Sequence, residues 1–308
     1  MRDSSRLATS LCGVALRNPI IAASGTFAYG VEFASILDLE AIGAFVVKGI
    51  SREPIAGNKE PRLYEAEAGM LNSVGLQNVG VRAFIGEKIP ALRKFQTPYF
   101  VNVFGYEPED YLEVVRTLED AEGPAGYELN VSCPNTKHGG IAFGADCGML
   151  SDLVGAVCKL TKRPVMVKLS PNVAAIAPLA IAAEQSGASA VSLVNTFIAL
   201  AIDARTRRSQ IGNGFGGLSG PAIKPIALRM VYEAAQSVKI PVVGLGGIAA
   251  GVDAAEFLIA GATAVQVGTA TFWDPRAPER IAKELDKFLR KEKVASVRDL
   301  VGTLRLHD

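Results

Sequence analysis

Short runs of β-branched and aliphatic residues alternate along this chain with longer stretches rich in Ala, Leu, Glu and Lys. That alternation is the pattern of parallel βα units. Eight runs read as strands, at residues 19–24, 44–48, 99–103, 127–131, 165–169, 190–195, 242–245 and 264–267. Several begin just after a proline, at Pro98, Pro164 and Pro241, and several end in Gly, Ser, Asn or Lys rather than in a core filler. Residues 109–120, 151–160, 174–186, 223–237 and 252–260 carry mixed apolar and polar faces of helical length, and 278–291 reads as an amphipathic outer helix. Pro178 falls early in its helix, where a missing N–H does least harm.

Eight such units predict an α/β fold of the closed (β/α)8 TIM-barrel type, not an open doubly wound sheet. No Gly-x-Gly-x-x-Gly follows the first strand, which also argues against a dinucleotide-binding sheet. The region 49–97 is too long for one helix and is expected to run as an excursion over the C-terminal face of the barrel. No linker or low-complexity tract divides the chain, so residues 1–308 are expected to form a single domain.

Charge and cysteine content narrow the function. Thirty-two basic and 31 acidic side chains nearly cancel, leaving no global field to recruit nucleic acid or an anionic membrane. Cys12, Cys133, Cys147 and Cys158 form no CxxC pair and do not cluster with His138 or His307. No metal or iron–sulfur site is expected on this chain alone. No apolar run reaches the roughly 18–20 residues that span a bilayer, and the N-terminus lacks a signal-peptide core. A cytoplasmic protein without membrane attachment is the expectation.

Active sites of such barrels sit at the C-terminal strand ends. Taken in order, those ends offer Ser24, Lys48, Asn102, Asn130, Lys168, Asn195, the Gly246–Gly247 pair and Gly268 with Thr269. One polar strand end is an ordinary turn; a full rim of them points to a ligand. The glycine-rich ends VVGLGGI and VQVGTAT fall on strands seven and eight, where barrels often seat phosphate on bare backbone N–H groups. Lys48 and Lys168 stand in apolar contexts, FVVKG and VMVKLS, and two idle ammonium groups there would be costly. They suit a carboxylate, a reduced cofactor ring or a Schiff base. Cys133, in ELNVSCPNTKHGG, is either a small turn residue or a thiol tuned to act as a base, and spacing alone leaves both readings open. His138 shows no catalytic dyad, and Gly-x-Ser-x-Gly is absent, so a Ser-His-Asp hydrolase gains no support.

Ten segments together resemble the class 1 dihydroorotate dehydrogenases, and more narrowly the class 1B catalytic subunit. They are NPIIAASGTFAYG, KGIS, GNKEPRLYEAEAGMLNSVGLQN, NVFG, ELNVSCPNTKHGG, VMVKLSPNV, VNTF, GGLSGPAIKP, VVGLGGI and AVQVGTATF, in the family's order over nearly the whole chain. The resemblance implies one FMN at the top of the barrel, held at Ser24, Lys48, Gly49, Asn102, Asn130, Lys168, Val194, Gly220, Gly246, Gly247, Gly268 and Thr269. It places dihydroorotate against Lys48, Asn72, Ser73, Val74, Gly75, Leu76, Asn130, Asn195 and Thr196, and puts Cys133 at the catalytic base. It also implies that Cys133 removes the C5 proton while C6 gives hydride to flavin N5, with Lys168 stabilising the reduced ring on its N1 side.

The implied role is an oxidoreductase step of de novo pyrimidine (UMP) biosynthesis. Cysteine at 133, where the membrane-bound branch has serine, and the short N-terminus point to the soluble branch. LNSVGLQN and CPNTKHGG look like class 1B, which implies a partner subunit carrying FAD and a 2Fe-2S cluster that passes electrons to NAD+. The assembly implied is a homodimer of this chain within a heterotetramer holding two such partners. The rivals are a class 1A-like enzyme using fumarate, a flavoenzyme similar to dihydropyrimidine dehydrogenase, a lysine-dependent aldolase and a non-catalytic platform.

Overall fold

The computed structural model describes residues 6–132 and 140–306. A hairpin of strands β1 (Thr9–Leu11) and β2 (Val14–Leu16) precedes β3 (Ile20–Ala22) and β4 (Ala44–Ile50). A second hairpin, β5 (Leu63–Ala66) and β6 (Gly69–Asn72), leads to β7 (Tyr99–Val103), β8 (Gly126–Asn130), β9 (Val165–Lys168) and β10 (Ala190–Leu193). Short strands β11 (Phe197–Ala199), β12 (Ile202–Asp203), β13 (Arg208–Ser209) and β14 (Gly216–Ser219) come before β15 (Val242–Leu245) and β16 (Ala264–Val267).

Eight of these strands, in the order β10-β15-β16-β3-β4-β7-β8-β9, close a parallel barrel. They are the eight strands expected from sequence, with ends shifted by no more than a few residues. The helices behave likewise: Pro108–Glu119, Cys147–Leu160, Ala177–Gln185, Lys224–Ser237, Gly251–Ile259 and Ala277–Lys291 cover the expected segments. Pro178 lies in the first turn of its helix. The last of these helices buries Ile281, Ala282, Leu285 and Leu289 and pairs Glu279 with Lys283 and Asp286 with Arg290 one turn apart. Apolar residues on one stripe and ion pairs opposite are what an outer-ring helix requires. No described helix is long and apolar enough to cross a membrane.

Because side chains alternate between the two faces of a strand, every second barrel residue points inward. The lower interior is apolar, with Ile21, Ala44, Val46, Phe100, Met166, Ala190, Val243 and Ala264 packed in one cluster. Leu11 and Leu16 of the leading hairpin join that cluster and plug the barrel from its N-terminal end. Two residues further along the same strands the inward positions turn polar: Lys48 after Val46, Asn102 after Phe100, Lys168 after Met166, Ser192 after Ala190 and Gln266 after Ala264. The barrel is an apolar plug below and a polar chamber above.

The expected excursion is present, and it is half of a larger feature. Strand β6 pairs with β14 and β14 with β11, which gives a four-stranded antiparallel sheet ordered β11-β14-β6-β5. Residues 197–219 show no element in the sequence pattern, because strands of two to four residues with mixed exposure leave little periodic signal. This second sheet walls one side of the barrel mouth.

Leu11 is fully buried. Leu11→Ala is expected to lower unfolding stability by about 2–5 kcal/mol, read as a lower urea midpoint at unchanged slope.

Candidate active site

The mouth of the barrel opens into a cavity of about 1220 Å³, counting the open solvent at its entrance. Its walls come from the ends of the barrel strands and from the second sheet. Ser24, Lys48, Gly49, Asn102, Asn130, Lys168, Val194, Gly220, Gly246, Gly247, Gly268 and Thr269 all line it. Asn72, Val74, Gly75, Leu76, Asn195 and Thr196 line the same cavity from the sheet side and the end of β10. Ser73 does not: it is buried, and its hydroxyl accepts a hydrogen bond from Asn58 Nδ2 at 2.8 Å, outside the lining. Cys133 and His138 lie outside the described residues, as does His307.

The glycine turns form a bare-backbone seat. Gly220, Gly246 and Gly247 have φ of +96°, +130° and +81°, conformations that strain any residue with a Cβ. A Cβ on Gly247 would also lie 2.8 Å from the carbonyl oxygen of Gly220, and one on Gly246 would lie 2.6 Å from Ala227 Cβ. With no side chains there, backbone N–H groups are left available to an anionic group.

Beneath this rim the chamber is organised by a residue that sequence reading passed over. Glu128, on β8, is fully buried. Its Oε1 accepts from Asn102 Nδ2 at 2.7 Å and from Ser24 Oγ at 3.4 Å, and lies 3.6 Å from Lys168 Nζ. Its Oε2 accepts from Ser192 Oγ at 3.0 Å and Gln266 Nε2 at 2.6 Å. Lys168 Nζ in turn donates to Ser24 Oγ at 3.3 Å. A buried carboxylate is tolerated when donors and a cation surround it, and this one has five partners on five other strands or strand ends. The signal was available: Glu128 sits at an inward position of β8, two residues before Asn130.

Ser132, also buried, ties two rim amides together. It donates to Asn130 Oδ1 at 2.9 Å and accepts from Asn195 Nδ2 at 2.7 Å, while Asn195 Oδ1 accepts the backbone N–H of Thr196 at 2.9 Å. The hydroxyl of Tyr111 donates to the carbonyl of Asn130 at 2.9 Å. Both asparagines are therefore held in orientation by hydrogen bonds. On the sheet side Arg62 binds the loop to itself, donating to the carbonyl of Asn58 at 2.6 Å and to Gln77 Oε1 at 2.7 Å.

Unlike Lys168, Lys48 has no carboxylate at ion-pair distance among the described residues. Burial, and then the nearby Arg62 guanidinium, hold its ammonium below the usual lysine range. A cation in that setting is primed for an anionic partner from outside. Among the described cysteines, Cys12 and Cys158 have thiols pushed up to about 11 by burial, so neither offers a thiolate near neutrality. No group of three or more metal-ligating side chains occurs among the described residues.

The two lysines are expected to respond oppositely to removal. The lowered pKa of Lys48 contributes stability above the unfolded value, about 10.4, and loses it as pH falls through the folded value. At neutral pH charged Lys48 thus opposes folding, and Lys48→Met should raise the urea midpoint of the ligand-free protein. Lys168→Met strands Glu128 without its cation and should cost roughly 3–5 kcal/mol. Urea unfolding of both variants at neutral pH checks the contrast; a shared sign would contradict it.

A family model described as dihydroorotate dehydrogenase matches residues 6–289. A protein of Solibacter usitatus named putative dihydroorotate dehydrogenase A (fumarate) is 69% identical over 97% of this chain and 99% of its own length. Proteins of Citrifermentans bemidjiense and Geobacter sulfurreducens, both named dihydroorotate dehydrogenase B (NAD(+)), catalytic subunit, are 52% and 51% identical, again over 97% of this chain and 98% of their own. On a match of that extent and depth, the chain belongs to the dihydroorotate dehydrogenase family of oxidoreductases.

Proposed function

We propose that this chain oxidises (S)-dihydroorotate to orotate, a step of pyrimidine synthesis, with one FMN in the barrel-mouth cavity. One observation carries the reading: two lysines, a set of hydrogen-bonded amides and a bare glycine seat meet in one cavity of a member of this family.

The donor set fits FMN. The Gly246–Gly247 turn, with Gly220, Gly268 and Thr269 beside it, suits a phosphate. Asn102 Oδ1 is buried and has no partner among the described residues, which suits an N–H on the edge of a flavin ring. Ser24, Lys48, Gly49, Asn130, Lys168 and Val194 complete the cofactor wall. When bound, FMN supplies the acceptor for the two electrons that leave the substrate. Lys168 holds a positive charge at that wall, where it favours a ring that gains negative charge.

The same chemistry suits the substrate. The carboxylate of dihydroorotate meets Lys48, whose ammonium is held below its usual range by burial, and a charge-assisted hydrogen bond there is strong. The amide edges of the ring meet Asn72, Asn130, Asn195 and Thr196, with Val74, Gly75 and Leu76 along the adjacent wall. Cys133, three residues beyond Asn130, is the base that takes the C5 proton as hydride leaves C6.

For the terminal acceptor we propose NAD+, reached through a partner subunit with FAD and a 2Fe-2S cluster. The assembly is a homodimer of this chain with two such partners, acting in the cytoplasm. The motifs LNSVGLQN and CPNTKHGG and the names of the Citrifermentans and Geobacter relatives support it. A second reading, fumarate as acceptor with no partner, is favoured by the name of the Solibacter relative.

Anaerobic titration of the purified protein with dihydroorotate should bleach the flavin absorbance, and a colourless, unresponsive protein would refute the assignment. Cys133→Ala should slow that bleaching by about 10²–10⁴-fold. Orotate affinity should be full below the folded pKa of Lys48 and fall as pH rises through it, because only the ammonium pairs with a carboxylate. Orotate titrations from about pH 7 to about pH 10 test this, and Lys48→Met should abolish the trend. Turnover with fumarate by this chain alone would favour the second reading; turnover with NAD+ only when the partner is added would favour the first.

A further inference from the structure

An asparagine side chain is nearly symmetric in shape, with an acceptor on one branch and a donor on the other. Packing alone does not decide which branch Asn102 turns to the cavity. Here the decision is electrostatic. A carboxylate offers no proton, so the only favourable contact with Glu128 Oε1 is through the NH2 branch, which donates to it at 2.7 Å. The oxygen branch is thereby left at the cavity wall beside Gly49, where a Cβ would come within 2.9 Å of it. That oxygen is buried and unpartnered among the described residues.

The same Oε1 is the counter-charge of Lys168, whose ammonium also leans on Ser24. Ser192 and Gln266 engage the second oxygen of Glu128, so both ends of the carboxylate are held and it cannot rotate away without breaking several contacts at once. One buried atom thus holds an acceptor and a cation on the same wall.

We propose that Glu128 is a positioning residue: through Asn102 and Lys168 it makes this wall present a hydrogen-bond acceptor together with a positive charge. The ligand edge so selected carries an N–H donor close to an electron-rich ring atom. The inference rests on the flavin reading above for its binding readout, and on the flavin-free protein for the other.

Glu128→Gln keeps the shape of the side chain but removes its charge and leaves one acceptor oxygen where two stood, so the NH2 branch of Asn102 no longer faces an obligatory acceptor. In the flavin-free protein, with asparagine isotope-labelled, the side-chain amide resonance of Asn102 should move and its protons should exchange faster in Glu128→Gln. Added FMN should bind this variant roughly 10-fold or more weakly. Asn102→Asp placed on top of Glu128→Gln restores a donor facing an acceptor and returns an oxygen to the cavity, so the double variant should recover most of the lost affinity. A purely structural role for Glu128 predicts no such recovery.

An unmoved Asn102 resonance, parental FMN affinity in Glu128→Gln, or no recovery in the double variant overturns the proposal. If the parent protein itself binds no FMN, the flavin reading fails while the Asn102 resonance still decides the role of Glu128. If Glu128→Gln does not fold, Asn102→Asp with Glu128 intact takes its place. Two facing carboxylates should then weaken FMN binding well beyond Asn102→Ala, and equal affinities of those two variants overturn the proposal.

Discussion

A carboxylate enclosed in the interior of a β-barrel is the constraint around which this molecule is arranged. Removing an ion from water costs several kcal/mol even after the protein relaxes, and Glu128 is fully buried. That cost is offset only if donors converge on both oxygens from several directions. Here they come from Asn102, Ser24, Ser192 and Gln266, with Lys168 as the cation. Each stands on a different strand or strand end, so the network exists only when the barrel is closed and in register.

The register is kept by the lower half of the barrel. Alanines, valines, Phe100 and Met166 fill it, and the leading hairpin seals it with Leu11 and Leu16. A tight apolar plug resists strand slippage, since a shift of one residue would carry every inward side chain to the outer face. The polar layer above inherits its geometry from the packed layer below. Stability and function are thus divided along the barrel axis, two residues apart on the same strands.

The cavity above that layer is asymmetric. One side is the barrel rim, with its lysines and glycine turns; the other is the sheet of β11, β14, β6 and β5, drawn from two segments more than a hundred residues apart. Lys48 lines this cavity near Arg62, with no carboxylate at ion-pair distance among the described residues. An anionic ligand placed there completes the electrostatics of the protein, in contrast to Lys168, whose partner is built in.

The barrel, its eight strands and most of its helices were legible in the chain alone, because short β-branched runs and amphipathic stripes are local properties written in consecutive residues. So were the rim residues that face one cavity, since strand ends of a parallel barrel share a face by topology alone. The second sheet emerges only in three dimensions, because its short strands have no periodicity of their own and form by pairing across the chain. Only the folded structure set Ser73 outside the lining, because that depended on which way a loop residue turns toward Asn58. And only it revealed Glu128 as the centre of the polar layer: in the sequence it is one acidic residue in a strand, and its meaning comes from five partners that closure of the barrel brings within reach.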